Sequence, residues 1–396
     1  MTGAPQKPLN IFIVAGEHSG DALGAKLMAA LKAKCAGGVT FSGAGGDEMR
    51  HEGLDSIFAI EDVAVMGPLN ILPKLPRIIR RVYQTVDAAI AAKPDAVVII
   101  DSPEFTHPIA KRIRKRAAHI PIIDYVSPSV WAWRPGRAKR MRGYIDEVLA
   151  LLPFEPATHA RLGGPHCTYV GHPLIERFDE IRNADAAGLA KRLGIADGKP
   201  VLLVLPGSRS SEVDRLIGDF GATVDRLAGQ CHAIHAVIPA VRHLRERIEA
   251  KTAAWTVRPH IVDGAADKFA AMRLARAALA ASGTVTLELA LAGTPMVAAY
   301  KSDAVTAWIV RRLLTTDTAL LSNLVLGEKV FPEFIQKDCT PENLSRAVST
   351  LLHDGEARSR QLAALARIPE KVALASGTPS DAAAEAVLRV LAQKEA

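Results

Sequence analysis

Two turns in the second half of the chain carry groups suited to holding phosphate. In "AALAASGTVTLELALAGTPMVAAY" a strand of small residues ends at Ala281, Ser282, Gly283 and Thr284 turn, and a helix from Val285 to Ala292 stops at Gly293. Such a turn aims backbone N–H groups and a helix N-terminus at one spot, where an anion is favoured. Glu288 is a carboxylate in an otherwise apolar helix. Burying it unpaired is costly, so a partner is expected; one turn beyond a phosphate, a ribose diol would serve, and a structural ion pair is the competing reading. In "VLLVLPGSRSSEV" the residues Pro206, Gly207, Ser208 and Arg209 follow a second strand, and Ser210 or Ser211 can cap the next helix. A planar guanidinium fits phosphate oxygens, although this turn alone fits a surface salt bridge equally well. Together the two turns favour a diphosphate. The phosphate-binding pattern G-x-x-x-x-G-K-[ST] is absent, and no carboxylate cluster for magnesium is evident. A nucleotide-sugar donor fits best, its departing diphosphate stabilised by the helix dipole and Arg209. No metal and no cofactor are expected.

The first half offers a base and an acceptor side. "AVVIIDSPEFTHPIAKRIRKR" ends a buried-looking strand on Asp101, placed to take a proton from an attacking hydroxyl, or to cap the following helix; Glu104 competes for the role. "FIVAGEHSGDALG" is not the G-x-G-x-x-G of a dinucleotide site, since its glycines fall at 16, 20 and 24. It reads as a tight turn facing the acceptor, with Ser19 or Asp21 capping the next helix and with Glu17 and His18 as candidate contacts for a sugar or its phosphate. Glu17 therefore joins Asp101 and Arg209 as a candidate catalytic residue. "VSPSVWAWRPGRAKRMRGYIDEV" places Trp131 and Trp133 beside Arg134, Arg137, Lys139, Arg140 and Arg142, read either as core plus solvated face or as a basic turn facing an anionic acceptor. In "EDVAVMGPLNILPKLPRIIRRVYQ" the apolar Val65, Met66, Leu69, Leu72 and Leu75 stand among Lys74, Arg77, Arg80 and Arg81. That mixture suits an anionic membrane surface and is equally compatible with a buried helix face.

The elements that must position these groups repeat a short β-branched run, a Gly/Pro/Ser turn and a longer helical stretch, the pattern of parallel sheets covered by helices. Strands are expected at 11–15, 39–45, 96–101, 120–126 and 147–152, then at 201–206, 233–239, 255–262, 277–281 and 296–300. The fold class is α/β, with two doubly wound Rossmann-like domains facing across a cleft and a helical C-terminus. Ligands of such sheets bind outside the carboxyl ends of the strands. The expected domains are 1–172 on the acceptor and membrane side, 173–345 for the nucleotide-sugar, and C-terminal helices at 346–396. Thr340 and Pro341 mark a clean helix start.

A chain of 396 residues with 49% hydrophobic content supports two cores. Its 49 Lys+Arg against 42 Asp+Glu give +7, which favours acidic ligands or anionic surfaces. Only 5% is aromatic, and no basic stretch interleaves with aromatics as a nucleic-acid groove requires, so no nucleic acid is expected. Four scattered cysteines suggest a reducing cytosol rather than disulfides or zinc. No run of 18 apolar residues occurs, so the chain is expected to be soluble or to sit on a membrane surface.

Six motifs in this order, "AGEHSGD", "SPSVWAWRPGRAKRM", "GHPL", "LPGSRSSEV", "ASGTVTLELALAGTPMV" and "NLVLGEKVFPEFIQ", resemble the lipid-A-disaccharide synthase family over about residues 10–340. The resemblance implies an inverting, metal-independent GT-B glycosyltransferase on the cytoplasmic face of the inner membrane. It would join UDP-2,3-diacylglucosamine to 2,3-diacylglucosamine 1-phosphate through a β(1→6) bond and release UDP. It further implies that Asp101 is the essential acidic residue, that Arg209 and Ser282 to Thr284 contact the diphosphate and that Glu288 contacts the ribose. Asn323, Glu333 and Gln336 would line the donor site in the UDP-sugar domain 173–345, and the stretch Met66 to Leu75 would face the membrane. The helices at 346–396 would pack back on the first domain or exchange with a partner subunit, and a homodimer is possible. The chain departs from the family pattern at His18, at Glu104 to Thr106 and at Ser322, which leaves Thr106 without an assigned role. A UDP-sugar epimerase and a non-catalytic UDP-sugar or lipid-binding protein are the alternatives; Asp101 and the 63–81 segment favour the transferase.

Overall fold

The computed structural model describes residues 8–64, 72–195, 199–230, 233–303 and 316–395. Among the described residues there are thirteen strands, β1 (Leu9–Ala15), β2 (Val39–Ala44), β3 (Asp55–Ser56), β4 (Ala96–Ile100), β5 (Ile122–Tyr125), β6 (Glu147–Ala150), β7 (His166–Tyr169), β8 (Val201–Leu205), β9 (His235–Pro239), β10 (His260–Val262), β11 (Ala277–Ala281), β12 (Met296–Tyr300) and β13 (Glu333–Ile335). They form two all-parallel sheets, of order β3-β2-β1-β4-β5-β6-β7 and β10-β9-β8-β11-β12-β13. Each of the ten expected strands has a counterpart, but the one expected at 255–262 is cut to His260–Val262, its first five residues lying in irregular backbone. Those added, β3, β7 and β13, are short edge strands with no fully buried run to betray them.

The central strands explain the architecture. Every residue of "AVVII" in β4 and of "VLLVL" in β8 is buried, as a parallel sheet covered on both faces requires. In each sheet the strand order reverses between two neighbours, β1 and β4 in the first, β8 and β11 in the second. At such a reversal the following helices leave to opposite faces, and the two post-strand turns stand side by side.

The chain divides into two compact units, Met1–Pro173 with Leu374–Ala396, and Leu174–Ala373. The C-terminal helices at 346–396 are thus shared out. The helices Pro341–Leu352 and Glu356–Val372 belong to the second unit, whereas Pro379–Glu395 lays Ala383, Ala384, Val387 and Val390 into the core of the first. Lys34 fastens that last helix through Glu385 at 2.8 Å. Thr340 caps its helix, its hydroxyl accepting from the Asn343 amide.

Capping at Ser19 or Asp21 is corrected by the structure. The helix His18–Lys34 starts after Glu17 without a side-chain cap. Asp21 is buried and faces a different helix start, accepting from the amides of Gly46 (2.7 Å), Glu48 (3.0 Å) and Met49 (3.1 Å) at the beginning of Asp47–His51. A carboxylate already inside one helix satisfies the orphan donors of another, a role sequence adjacency does not reveal. Asp21→Ala leaves three amides without that acceptor, and we expect a loss of about 2–3 kcal/mol in urea unfolding.

Candidate functional site

In the second unit, the turns after β8 and β11 enclose a cavity of about 360 Å³. Gly207, Ser208 and Arg209 form one wall, Ser282, Gly283 and Thr284 another, and Glu288 lies at its side. The helix Val285–Ala292 begins here after Thr284, and Thr286 Oγ1 donates to Gly283 O at 2.7 Å to fix the turn. The long helix Ser210–Gly229 also begins here. Two helix N-termini therefore open on one space, which favours negative charge.

Ser210 and Ser211 do not cap that long helix; Arg209 occupies the capping position in extended conformation with no side-chain cap. Glu212 does the holding instead, its Oε2 accepting from the Ser208 amide at 3.1 Å and its Oε1 from Arg209 Nη1 at 2.6 Å. A carboxylate three residues into the helix reaches back over the turn, as the Glu of a capping box does. Gly207 makes this possible: its φ is +123°, and a Cβ there would stand 2.5 Å from that of Glu212.

Glu288 has the partner its burial demands. Lys268 on the helix Gly264–Leu274 donates to both its oxygens, at 2.7 and 2.9 Å. Neither Lys268 nor Glu212 was singled out from the sequence. Glu212 had a signal in its spacing from Arg209, whereas Lys268 lies 20 residues before its partner on another helix.

The other residues expected at the donor site lie elsewhere in the second unit and do not line this cavity. Buried Asn323 is used structurally, donating to Phe331 O (3.0 Å) and accepting from the amides of Val330 and Phe331. Glu333 accepts from Thr318 Oγ1 (3.0 Å) and the Ala319 amide (3.2 Å), and Gln336 (φ +54°) donates to Ser302 Oγ.

In the first unit, the turns after β1 and β4 touch. A Cβ on Gly16 would meet that of Ser102 at 2.5 Å, so Glu17 is carried next to the Asp101 turn. Asp101 and Ser102 both adopt left-handed conformations, φ +51° and +46°, costly for residues with a side chain. Asp101 Oδ1 accepts from the Ser102 amide at 2.7 Å, and buried Thr106 donates its hydroxyl to Asp101 O, also at 2.7 Å. Thr106 thereby gains the role the sequence left open, holding a strained turn. Ser102, not Asp101, occupies the helix-capping position of Pro103–Arg116. Glu104 is exposed and salt-bridged to Arg137.

Trp131 is anchored inward, its indole N–H donating to Glu155 Oε1 at 3.1 Å, whereas Trp133 stacks under the Arg134 guanidinium. Buried Glu155 also accepts from the Leu152 amide at 3.0 Å. Burial pushes its carboxyl up to about 7 in spite of these donors. Val65, Met66 and Leu69 lie outside the described residues, and of Leu72 only the backbone is described. Leu75 is 42% exposed, and with Ile79 and Tyr83 at four-residue spacing it forms an apolar stripe on the helix Leu75–Ala92. Among the described residues no group of three His, Cys, Asp or Glu is arranged to hold a metal, and no helix is long and apolar enough to cross a membrane.

Two doubly wound parallel sheets in one chain define a GT-B type α/β protein. Solved structures share this fold: a UDP-GlcNAc 2-epimerase from Neisseria meningitidis bound to UDP-GlcNAc (13% identity, 98% of this chain and 100% of that one, TM-score 0.61) and MurG from Acinetobacter baumannii (15%, 98% and 99%, TM-score 0.53). At such low identity these likenesses concern the fold alone. The family description "Lipid-A-disaccharide synthetase" matches residues 11–387. Curated relatives named lipid-A-disaccharide synthase include one from Rhodopseudomonas palustris, 52% identical over 381 residues (96% of each chain), and one from Nitrobacter hamburgensis, 51% identical (96% of this chain, 95% of that one). The chain belongs to the lipid-A-disaccharide synthetase family, and is a glycosyltransferase of lipid A biosynthesis. The epimerase alternative is not favoured.

Lys268→Ala strands the buried Glu288 carboxylate. We expect a loss of about 2–3 kcal/mol in urea unfolding, largely restored when Glu288→Gln is added. Glu155 gives a pH signature: the native state keeps its proton to higher pH than the unfolded chain, so stability is full below 4.5 and declines as pH rises towards about 7. Glu155→Gln should flatten that part of the stability profile in denaturant titrations at stepped pH.

Proposed function

We propose that the protein transfers the sugar of UDP-2,3-diacylglucosamine to 2,3-diacylglucosamine 1-phosphate, forming the β(1→6) disaccharide with inversion and releasing UDP. The observation that carries this reading to the residues is the convergence of Gly207 to Arg209, Ser282 to Thr284 and Glu288 on one cavity at the carboxyl edge of the second sheet. The donor diphosphate lies there, its oxygens competing with Glu212 for the Ser208 amide and Arg209. As the bond to the anomeric carbon breaks, charge grows on the departing diphosphate, where the two helix N-termini and Arg209, released from Glu212, meet it. Glu288, oriented by Lys268, receives the ribose hydroxyls.

The acceptor lies on the first unit. Asp101 takes the proton of the attacking hydroxyl; its Oδ1 is turned to the Ser102 amide and the strained backbone fixes its direction. Glu17, carried to the same corner by the Gly16 contact, orients the sugar. The apolar stripe of Leu75, Ile79 and Tyr83, fringed by Lys74, Arg77 and Arg80, rests on the anionic inner-membrane surface. This matches acyl-bearing substrates, which reside in that surface.

The test is incubation of the purified protein with both lipid substrates without added metal, followed by detection of a phosphorylated disaccharide and stoichiometric UDP. An epimerised donor without disaccharide would sink the assignment. Asp101→Ala is expected to lower kcat by about 10³-fold or more with UDP binding nearly intact. For Arg209→Ala we expect a rise in donor KM and a fall in kcat; unchanged donor kinetics would remove it from the diphosphate.

A further inference from the structure

A hollow of about 230 Å³ on the first unit is lined by Pro103, Glu104, His107, Lys111, Arg137, Arg140 and Tyr144. Lys111 comes from the helix Pro103–Arg116 and the two arginines from Gly136–Met141, so tertiary packing gathers three permanent cations here. One carboxylate, Glu104, stands against them, bridged to Arg137 and 3.7 Å from Arg134. The Lys111 ammonium lies 4.9 Å over the Tyr144 ring, and burial together with Arg140 and Arg137 holds it below the usual lysine range. Against these three cations stand Glu104 in the lining and Asp124 buried beneath it, so the hollow keeps an excess of positive charge, which an anion relieves.

The floor is stiff. Tyr144 Oη and His107 Nδ1 are 3.0 Å apart, and His107 Nε2 is 3.2 Å from the buried Asp124 Oδ2. The hollow also has a meaningful address, since Pro103 and Glu104 follow Asp101 by two and three residues at the carboxyl edge of the first sheet. Guanidinium forks and an ammonium suit phosphate oxygens, and charged walls do not suit acyl chains.

We propose that this hollow binds a phosphomonoester, the phosphate of the acceptor sugar, through Lys111, Arg137 and Arg140. The proposal rests on placing the acceptor on the first unit. It adds what recognises the acceptor's charged end, and it leaves Asp101 to the reacting hydroxyl.

The test compares Arg140→Ala and Lys111→Ala in the full chain, after thermal melts confirm native folding, with Lys115→Ala as a control for general charge loss. Kinetics in detergent use acceptors with and without the 1-phosphate, calorimetry measures glucosamine 1-phosphate binding without turnover, and sedimentation compares phosphatidylglycerol with phosphatidylcholine vesicles. We expect KM for the phosphorylated acceptor to rise about tenfold in each variant, the loss of one charge-assisted contact, with donor KM and the dephosphorylated acceptor unchanged. Lys115→Ala should behave as wild type. Equal effects on both acceptors, or none, would overturn the proposal. Weaker phosphatidylglycerol binding with unchanged acceptor KM would give the hollow to lipid headgroups and overturn it as well. If no disaccharide forms even with wild type, the transferase reading fails separately. The calorimetric arm then still decides, sugar-phosphate binding lost in the variants supporting the hollow and unaltered binding overturning it.

Discussion

A strand that is parallel to its neighbours and covered by helices on both faces has no room for chemistry along its length. In β4 and β8 every residue is buried, and the first positions free to carry a charge are those just past the carboxyl end. Asp101 follows β4, Arg209 follows β8 and Ser282 follows β11 for this one reason. Where the strand order reverses, β1 beside β4 and β8 beside β11, two such turns stand together, and the candidate groups meet there.

Each unit then manages the electrostatic cost of what it has gathered. In the second, Glu212 satisfies the Ser208 amide and Arg209, while Lys268 neutralises Glu288. These contacts keep the turn ordered before any ligand arrives, with Glu212 standing where an anion would compete for the same donors. In the first, the management is conformational. Two consecutive left-handed residues at Asp101 and Ser102 persist because Thr106 ties down the backbone and because the missing side chain of Gly16 lets the neighbouring turn approach.

Much of this was legible in the linear order of residues. Runs such as "AVVII" and "VLLVL" declare buried parallel strands, and "ASGTVTLELALAG" declares a strand, a turn and a helix whose ends, Val285 and Ala292, the structure keeps. The cradle residues were legible too, because they follow those strands immediately. The short strands β3, β7 and β13 were not, since two to four residues with partly exposed side chains leave no periodicity to read. Helix starts were misread where a cap came from afar, as with Asp21 serving the helix Asp47–His51, or from inside the helix, as with Glu212.

By itself, then, the sequence determined the class of fold, the family and the turns that carry charge, because hydrophobic period and turn chemistry are local properties of the chain. Only the tertiary structure decided which charges face each other: Lys268 with Glu288, Asp21 with a second helix, and Lys111 with Arg137 and Arg140. Partners separated by some 20 residues or more meet through packing alone, and nothing in their spacing along the chain encodes the meeting.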